Sequence, residues 1–106
     1  MVKRGDIWLV NLDPIVGSEI KKTRPGIIIS PAEMHDHLRT VIVAPMTTGS
    51  QPAPFRVSIV FQGKRGLILL DQIRSLDKVR LVKRLGRATE KSLVATLRTL
   101  QEVFAV

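Results

Sequence analysis

Short β-branched runs separated by loops containing proline and glycine are the feature that most constrains the fold of this 106-residue chain. Runs of this length suit strands, because β-branched side chains pack well on a pleated surface. From Thr89 onwards the period changes and apolar residues recur at helical spacing. We therefore expect a small, strongly bent antiparallel sheet followed by one helix. The predicted strands are 6–12, 26–30, 40–46, 55–61, 67–73 and 78–86.

The end of the chain predicts an amphipathic helix that packs on the sheet. Thr89 is a suitable residue to cap its start. Its apolar positions fall three or four residues apart, at Leu93, Leu97, Leu100 and Phe104. The segments before and between the strands are predicted as loops, of which 13–25 is long and mobile. Nothing marks a linker or a repeat, so we expect a single domain over residues 1–106.

Composition favours a partner that is a polyanion. The formal net charge is +8 and the isoelectric point is about 10.9, and a positive field of this size concentrates nucleic acid around a small protein. The chain has no cysteine, which excludes disulfides and thiolate chemistry and fits a reducing cytoplasm. No apolar run reaches the roughly 18 residues of a membrane span, so we expect no membrane association.

Three cations, Lys21, Lys22 and Arg24, precede Pro25 and an apolar strand. An anionic partner explains cations at the mouth of a buried strand, since each needs water or a counter-charge there. The planar guanidinium of Arg24 matches two phosphate oxygens, which an ammonium group does not. Pro25 restricts Arg24 to extended backbone geometry. The alternative is an ordinary solvated surface arginine.

Hydroxyl groups follow the third predicted strand. Thr47 and Thr48 come directly after Met46, with Ser50 in the same loop. A hydroxyl and the neighbouring backbone N–H groups can bind a phosphate oxygen there. The alternative is that these threonines cap a turn, which is their commoner role.

Asp71 follows the apolar residues 67–70. Partial burial there predicts a raised pKa that suits a general base. The alternative is a structural carboxylate held by Arg74.

His35 and His37 share one face if their segment is extended, which suggests a metal site or an acid–base pair. The segment is predicted as a loop, and no further ligands cluster nearby in the sequence, whereas a zinc site wants at least three protein ligands. We expect a solvated surface there and no metal. Trp8 lies in a strand that is apolar on both faces, so we expect it in the core.

The order of these landmarks resembles the MazF/PemK/Kid family of toxin endoribonucleases over nearly the whole chain. The matching pieces are GDIWLVNLDPIVGSE, TRPGIIIS, VAPMTTGS, LLDQIRSLD and the closing helix. The resemblance implies an SH3-like barrel with a C-terminal helix, mainly β. It also implies a cytoplasmic homodimer, cleavage of single-stranded RNA without metal or cofactor, and an antitoxin that covers the RNA site.

The resemblance also assigns roles to residues. It implies that Arg24 and Thr47 are catalytic. From its place beside the apolar residues 67–70 we add Asp71 to the catalytic residues, and we expect the loop 13–23 to gate the groove. Substrate contacts are expected from Glu19, Lys21, Lys22, Thr48, Ser50 and Arg74. The chain departs from some relatives in having Leu69 where they carry an arginine, and Gly17 near the place of a histidine.

Two alternatives remain at this level. Gyrase-poisoning toxins share this barrel and act through the surface of their C-terminal helix, and fold alone does not decide function. A helix that ended in exposed apolar residues would favour that alternative. A basic RNA-binding barrel without turnover is the second.

Overall fold

The structure, a computed structural model, describes residues 1–12 and 23–106. Its strands are β1 (Asp6–Asn11), β2 (Thr23–Ile28), β3 (Thr40–Thr47), β4 (Arg56–Phe61), β5 (Lys64–Leu69), β6 (Arg74–Asp77) and β7 (Leu81–Arg87). Its α-helices are α1 (Ala32–His37) and α2 (Glu90–Val103). Single 3₁₀ turns occupy Leu70–Gln72 and Lys78–Arg80.

The strands form one curled antiparallel sheet in the order β4-β5-β3-β2-β1-β7, with β6 paired to β3. β3 changes partner along its length: residues 40–43 pair with β6, and Met46 and Thr47 pair with β5. Pro45 lies at this change, where the N–H group that proline lacks is not needed by either ladder. The prediction of a small antiparallel sheet of the SH3-like kind with a C-terminal helix is confirmed.

Apolar side chains cover both faces of the sheet, as the doubly apolar runs predict. In β2, Ile27 belongs to one buried cluster and Ile28 to the other. Val43 and Ala44 in β3 divide in the same way. Trp8 is partly buried and packs against the second cluster, so the prediction that it belongs to the core holds for its packing but not for full burial.

Helix α2 packs against the first cluster, as predicted. Thr89 caps it, since its side chain accepts a hydrogen bond from the Ser92 N–H. Leu93 is buried, and Leu97 and Leu100 pack beside it. Phe104 does not share this packing and is 70% exposed. Neither helix in the described part of the chain is long enough to span a bilayer.

Several boundaries differ from the prediction. β2 begins at Thr23 rather than 26, and β5 begins at Lys64, directly after the two-residue turn of Gln62 and Gly63. Strand β6 was not predicted as a separate element. The loop prediction for residues 31–39 was wrong, because Ala32–His37 forms helix α1.

Candidate active site

Strand pairing brings Arg24 and Thr47 together. Gly26 lies opposite Pro45 in the antiparallel pair of β2 and β3, and the same register extended by two residues sets Arg24 opposite Thr47. Directly opposed residues of an antiparallel pair have neighbouring side chains. Nη1 of Arg24 donates to Oγ1 of Thr47 at 3.4 Å. Both residues lie on strands, whereas the sequence placed them in two loops.

The Thr47 hydroxyl is held from two sides. It accepts from Arg24 and also from the backbone N–H of Gly49, at 3.2 Å. A hydroxyl oxygen has two lone pairs, so it can accept from both donors. The remaining O–H is therefore a hydrogen-bond donor. Thr47, which is only 9% exposed, is thus arranged to stabilise negative charge and not to accept a proton.

Gly66 allows β5 to approach Thr47 closely. A Cβ atom at this position would lie 2.9 Å from the carbonyl oxygen of Thr47, which is inside van der Waals contact. Only glycine fits this approach without a shift of the backbone. Gly66 therefore allows the close pairing of β5 with β3 at Thr47.

Arg24 and Thr47 open into a cleft of about 270 Å³. The hairpin of β4 and β5 forms the opposite wall, and two cations, Lys64 and Arg65, stand on it. No carboxylate or imidazole lines the cleft among the residues that the structure describes. The cleft is therefore electropositive and suited to a phosphate group. Its remaining lining comes from Pro25, Met46, Thr48, Ile59, Phe61, Gln62 and Gly66.

A second groove continues from this cleft. Thr48 lines both, while Ser50 lines only the second groove, together with Lys91 of α2. Thr48 therefore lines the cleft that contains Arg24, whereas Ser50 lies in the neighbouring groove.

Asp71 does not line the cleft. It lies in the 3₁₀ turn after β5 and makes a two-pronged ion pair with Arg56, whose Nε and Nη2 lie 3.1 and 3.0 Å from its carboxylate oxygens. The hydrogen bond from Arg56 lowers the pKa of the Asp71 carboxyl, and the same bond raises the pKa of Arg56. The prediction of a raised pKa was wrong, because a charge-assisted hydrogen bond outweighs slight burial.

The Asp71 partner was also predicted wrongly. Arg74 instead donates to the carbonyl of Leu12 at 3.3 Å, at the last described residue before the 13–22 segment. Arg56 donates in addition to the Gln51 carbonyl at 2.9 Å. The ion pair therefore ties the loop that follows Thr47 to the turn after β5.

His35 is buried, so the prediction of a solvated surface was wrong for it. Its Nδ1 donates to the carbonyl of Val2 at 3.1 Å, and its Nε2 lies 2.6 Å from Oγ of Ser30. A carbonyl only accepts, so the proton belongs on Nδ1. His37 is exposed. Among the described residues, no group of three metal-binding side chains forms.

Part of the basic surface is committed to internal contacts. Asp6 is 1% exposed, and its carboxylate accepts from Arg84 and Arg87 at 3.4 and 3.2 Å. A buried carboxylate needs such partners. These arginines, with Arg56, act within the fold, whereas Lys64 and Arg65 are presented to the cleft.

The family model for PemK-like and MazF-like toxins of type II toxin–antitoxin systems matches residues 3–104. The chain belongs to this family. The PemK/MazF-like chain is 42% identical over 95 residues to Endoribonuclease PemK of Escherichia coli, covering 84% of this chain and 71% of that protein. It is 36% identical over 100 residues to Endoribonuclease MazF of Staphylococcus epidermidis, covering 89% of this chain and 83% of that protein.

The fold agrees with this family. The crystal structure of MazF (Form-I) from Deinococcus radiodurans has a TM-score of 0.87 to the PemK/MazF-like chain and 26% sequence identity. The alignment covers 99% of this chain and 97% of that one. The resemblance inferred from the order of motifs is therefore confirmed.

Some site residues lie beyond the described part of this PemK/MazF-like chain, and others were missed by sequence reasoning. Glu19, Lys21 and Lys22 lie within residues 13–22, which the structure does not describe, and so does all of the proposed gating loop except Thr23.

Sequence reasoning missed Phe61, Gln62 and Gly66, which line the cleft. The signal for Gly66 was available, since a glycine inside a strand marks a close approach of another backbone. Phe61 and Gln62 gave no signal, because their place in the cleft depends on how the sheet curls.

Proposed function

We propose that the chain is the toxin of a type II toxin–antitoxin pair and that it is an endoribonuclease. It cleaves single-stranded RNA at a site formed by Arg24 and Thr47. The observation that carries the proposal is the contact of the Arg24 guanidinium with the Thr47 hydroxyl inside an electropositive cleft. The activity of the named relatives supports the reaction class. Family membership supports an antitoxin as partner.

The reaction is an internal transfer at phosphorus. The 2′-hydroxyl loses its proton to solvent as its oxygen attacks the adjacent phosphorus, and the bond from phosphorus to the 5′-oxygen breaks. The departing 5′-oxygen takes up one proton from solvent, so the transfer leaves the number of protons unchanged. The products are a 2′,3′-cyclic phosphate and a 5′-hydroxyl. Negative charge grows on the non-bridging oxygens, and preorganised donors at that point lower the barrier.

Arg24 and Thr47 supply these donors. The guanidinium of Arg24 offers parallel N–H groups to the phosphate oxygens. The O–H of Thr47 is available as a further donor, because its oxygen already accepts from Arg24 and from the Gly49 N–H. The ion pair of Arg56 and Asp71 is proposed to position the loop that carries Thr48 and Ser50. No cofactor takes part in this scheme.

A cleavage assay tests the proposal. The purified protein is incubated with a set of single-stranded RNAs in the presence of EDTA, and fragment ends are analysed. We expect EDTA-resistant cleavage with cyclic-phosphate ends. Arg24→Lys keeps the charge but loses the planar fork, so cleavage should fall by about 10²- to 10³-fold.

The matched control is Arg98→Ala, which removes an exposed cation of α2 outside the cleft and should leave cleavage unchanged. Equal cleavage by the wild type and Arg24→Lys would overturn the assignment of the site. Binding of diverse RNAs without any cleavage would instead support an RNA-binding barrel.

One observation also fits the gyrase-poisoning alternative. The end of α2 exposes Val103 (43%) and Phe104 (70%), and an exposed apolar helix end was the condition for that function. The same exposed apolar surface suits two other partners. One is a second copy of this chain, which we propose as the partner in a homodimer, and the other is the antitoxin. If the wild-type protein causes gyrase to accumulate as a complex with cleaved DNA, and Phe104→Ser does not, the gyrase function is favoured over RNA cleavage.

A further inference from the structure

The wall of the cleft that faces Arg24 and Thr47 has a composition that phosphate binding does not explain. Phe61 and Gln62 line it beside Lys64 and Arg65. Cations are sufficient to hold a phosphate, whereas an aromatic ring and an amide are what proteins use to bind an unpaired base. The chain has few aromatic residues, at 4% of its composition, so an aromatic side chain in this cleft is informative.

The ring of Phe61 is held in place from behind. Phe61 is partly buried against the first core cluster. A Cβ atom on Gly86 would lie 3.2 Å from its ring carbons, so the ring rests directly over the backbone of β7. A ring seated in this way loses little freedom when a base stacks on it, and base stacking tolerates any nucleobase because each has a π-face.

Gln62 lies at a turn position with positive φ, where glutamine is an unusual residue. Its φ is 52°, and it forms the two-residue turn with Gly63, whose φ is 77°. Asparagine, aspartate and glycine are the residues that such a turn prefers at its first position. A non-glycine residue with positive φ is uncommon, and glutamine at this turn position motivates a hypothesis of function.

The Gln62 side chain is exposed and only weakly held. Its Nε2 donates to the Leu85 carbonyl at 3.5 Å, the long limit for such a bond. An amide donates and accepts side by side, and this pattern matches the edges of nucleobases. Glutamine is longer than asparagine, so its amide reaches further from the turn, and Gln62 is one of the residues that line the cleft.

We propose that Phe61 and Gln62 form a base-recognition subsite: a nucleobase next to the scissile phosphate stacks on the ring of Phe61, and the Gln62 amide reads its edge. This inference rests on the proposed endoribonuclease function. It assigns the sequence preference of cleavage to the β4–β5 hairpin. The cleft volume of about 270 Å³ lies just below the range of about 300–1,000 Å³ for ligand sites, which fits one nucleotide and not a longer stretch.

The test measures kcat/KM on short RNAs that carry each of the four bases, in turn, at the positions flanking the cut. Gln62→Ala should reduce the preference between bases at one flanking position by roughly 5- to 150-fold. Phe61→Leu keeps an apolar side chain against the core and should weaken all substrates by roughly 5- to 150-fold through KM. Gln101→Ala, which removes an exposed amide from α2, is the matched control and should change neither quantity.

Gln62→Gly separates recognition from folding. Glycine adopts positive φ without strain, so this variant should melt at a higher temperature than the wild type while losing the base preference. The subsite alone is overturned if the wild type cleaves RNA in a reaction that depends on Arg24, but Gln62→Ala and Gln62→Gly keep the wild-type preference among bases. Absence of cleavage in the wild type would instead defeat the proposed function.

Discussion

Single residues in this protein take their roles from partners that are remote in sequence. Asp71 shows this most clearly, since its carboxylate pairs with Arg56, 15 positions earlier in the chain. The pair stabilises the ionised form of Asp71 and ties the loop that starts after Thr47 to the turn after β5. Arg74, the nearer cation in sequence, contacts the Leu12 carbonyl instead.

The pH dependence of stability follows from this pair. Arg56 lowers the pKa of Asp71 below its usual value of 3.8, so the stabilisation is fully present above that value. It is lost as the pH falls through the lower folded-state pKa. Asp71→Asn should therefore melt at a lower temperature than the wild type at pH 7, and the two curves should converge below pH 3.8.

Thermal unfolding followed by circular dichroism at several pH values measures this difference. Glu102→Gln, which neutralises an exposed carboxylate of α2, is the control and should follow the wild type throughout. A constant gap between wild type and Asp71→Asn down to pH 2 would show that the ion pair is not its source.

At the scale of elements, the closeness of β3 and β5 sets the geometry of the site. Gly66→Ala would force a Cβ atom to within 2.9 Å of the Thr47 carbonyl. We expect a loss of about 1–3 kcal/mol in stability, as for other overpacked sites. We also expect a fall in cleavage, because Thr47 must move.

Gly49→Ala is the comparison for that variant. A Cβ atom there meets only Oγ1 of Thr47, at 4.0 Å, so its melting temperature should stay close to that of the wild type. Differential scanning calorimetry and the cleavage rate measure the two effects. Equal stability of Gly66→Ala and the wild type would show that the strands adjust without cost.

The sequence predicts most elements but not all of the site. β-Branched runs such as residues 26–30 identify strands because local propensity and burial agree there. Helix α1 escapes prediction because six residues are too few to show a periodic face, and tertiary contacts of His35 hold it. The opposition of Arg24 and Thr47 follows from strand register, which no local pattern in 13–25 or 47–54 specifies.

At the scale of the whole molecule, the positively charged residues divide into those paired within the fold and those that line the cleft. Arg84 and Arg87 neutralise buried Asp6, whereas Lys64 and Arg65 face the cleft. The net charge of +8 therefore overstates the number of phosphate contacts. RNA affinity should fall with salt according to the smaller, substrate-facing set.

Lys64→Ala tests this division. Loss of one phosphate contact should reduce the slope of log affinity against log salt concentration by about 0.7. Arg98→Ala makes the same change in net charge on α2, away from the cleft, and should leave the slope unchanged. Fluorescence anisotropy with a labelled single-stranded RNA measures both. Equal slopes for the two variants would mean that only the overall field attracts RNA.

The central claim is that Arg24 and Thr47 act as one unit on one phosphate. A double-mutant cycle on single-turnover cleavage, with Arg24→Ala, Thr47→Val and the double variant, tests it most directly. We predict that each single change lowers the rate by about 10²-fold or more and that the double variant is hardly slower than the worse single one. Losses that multiply in the double variant, or a Thr47→Val protein as fast as the wild type, would contradict the claim.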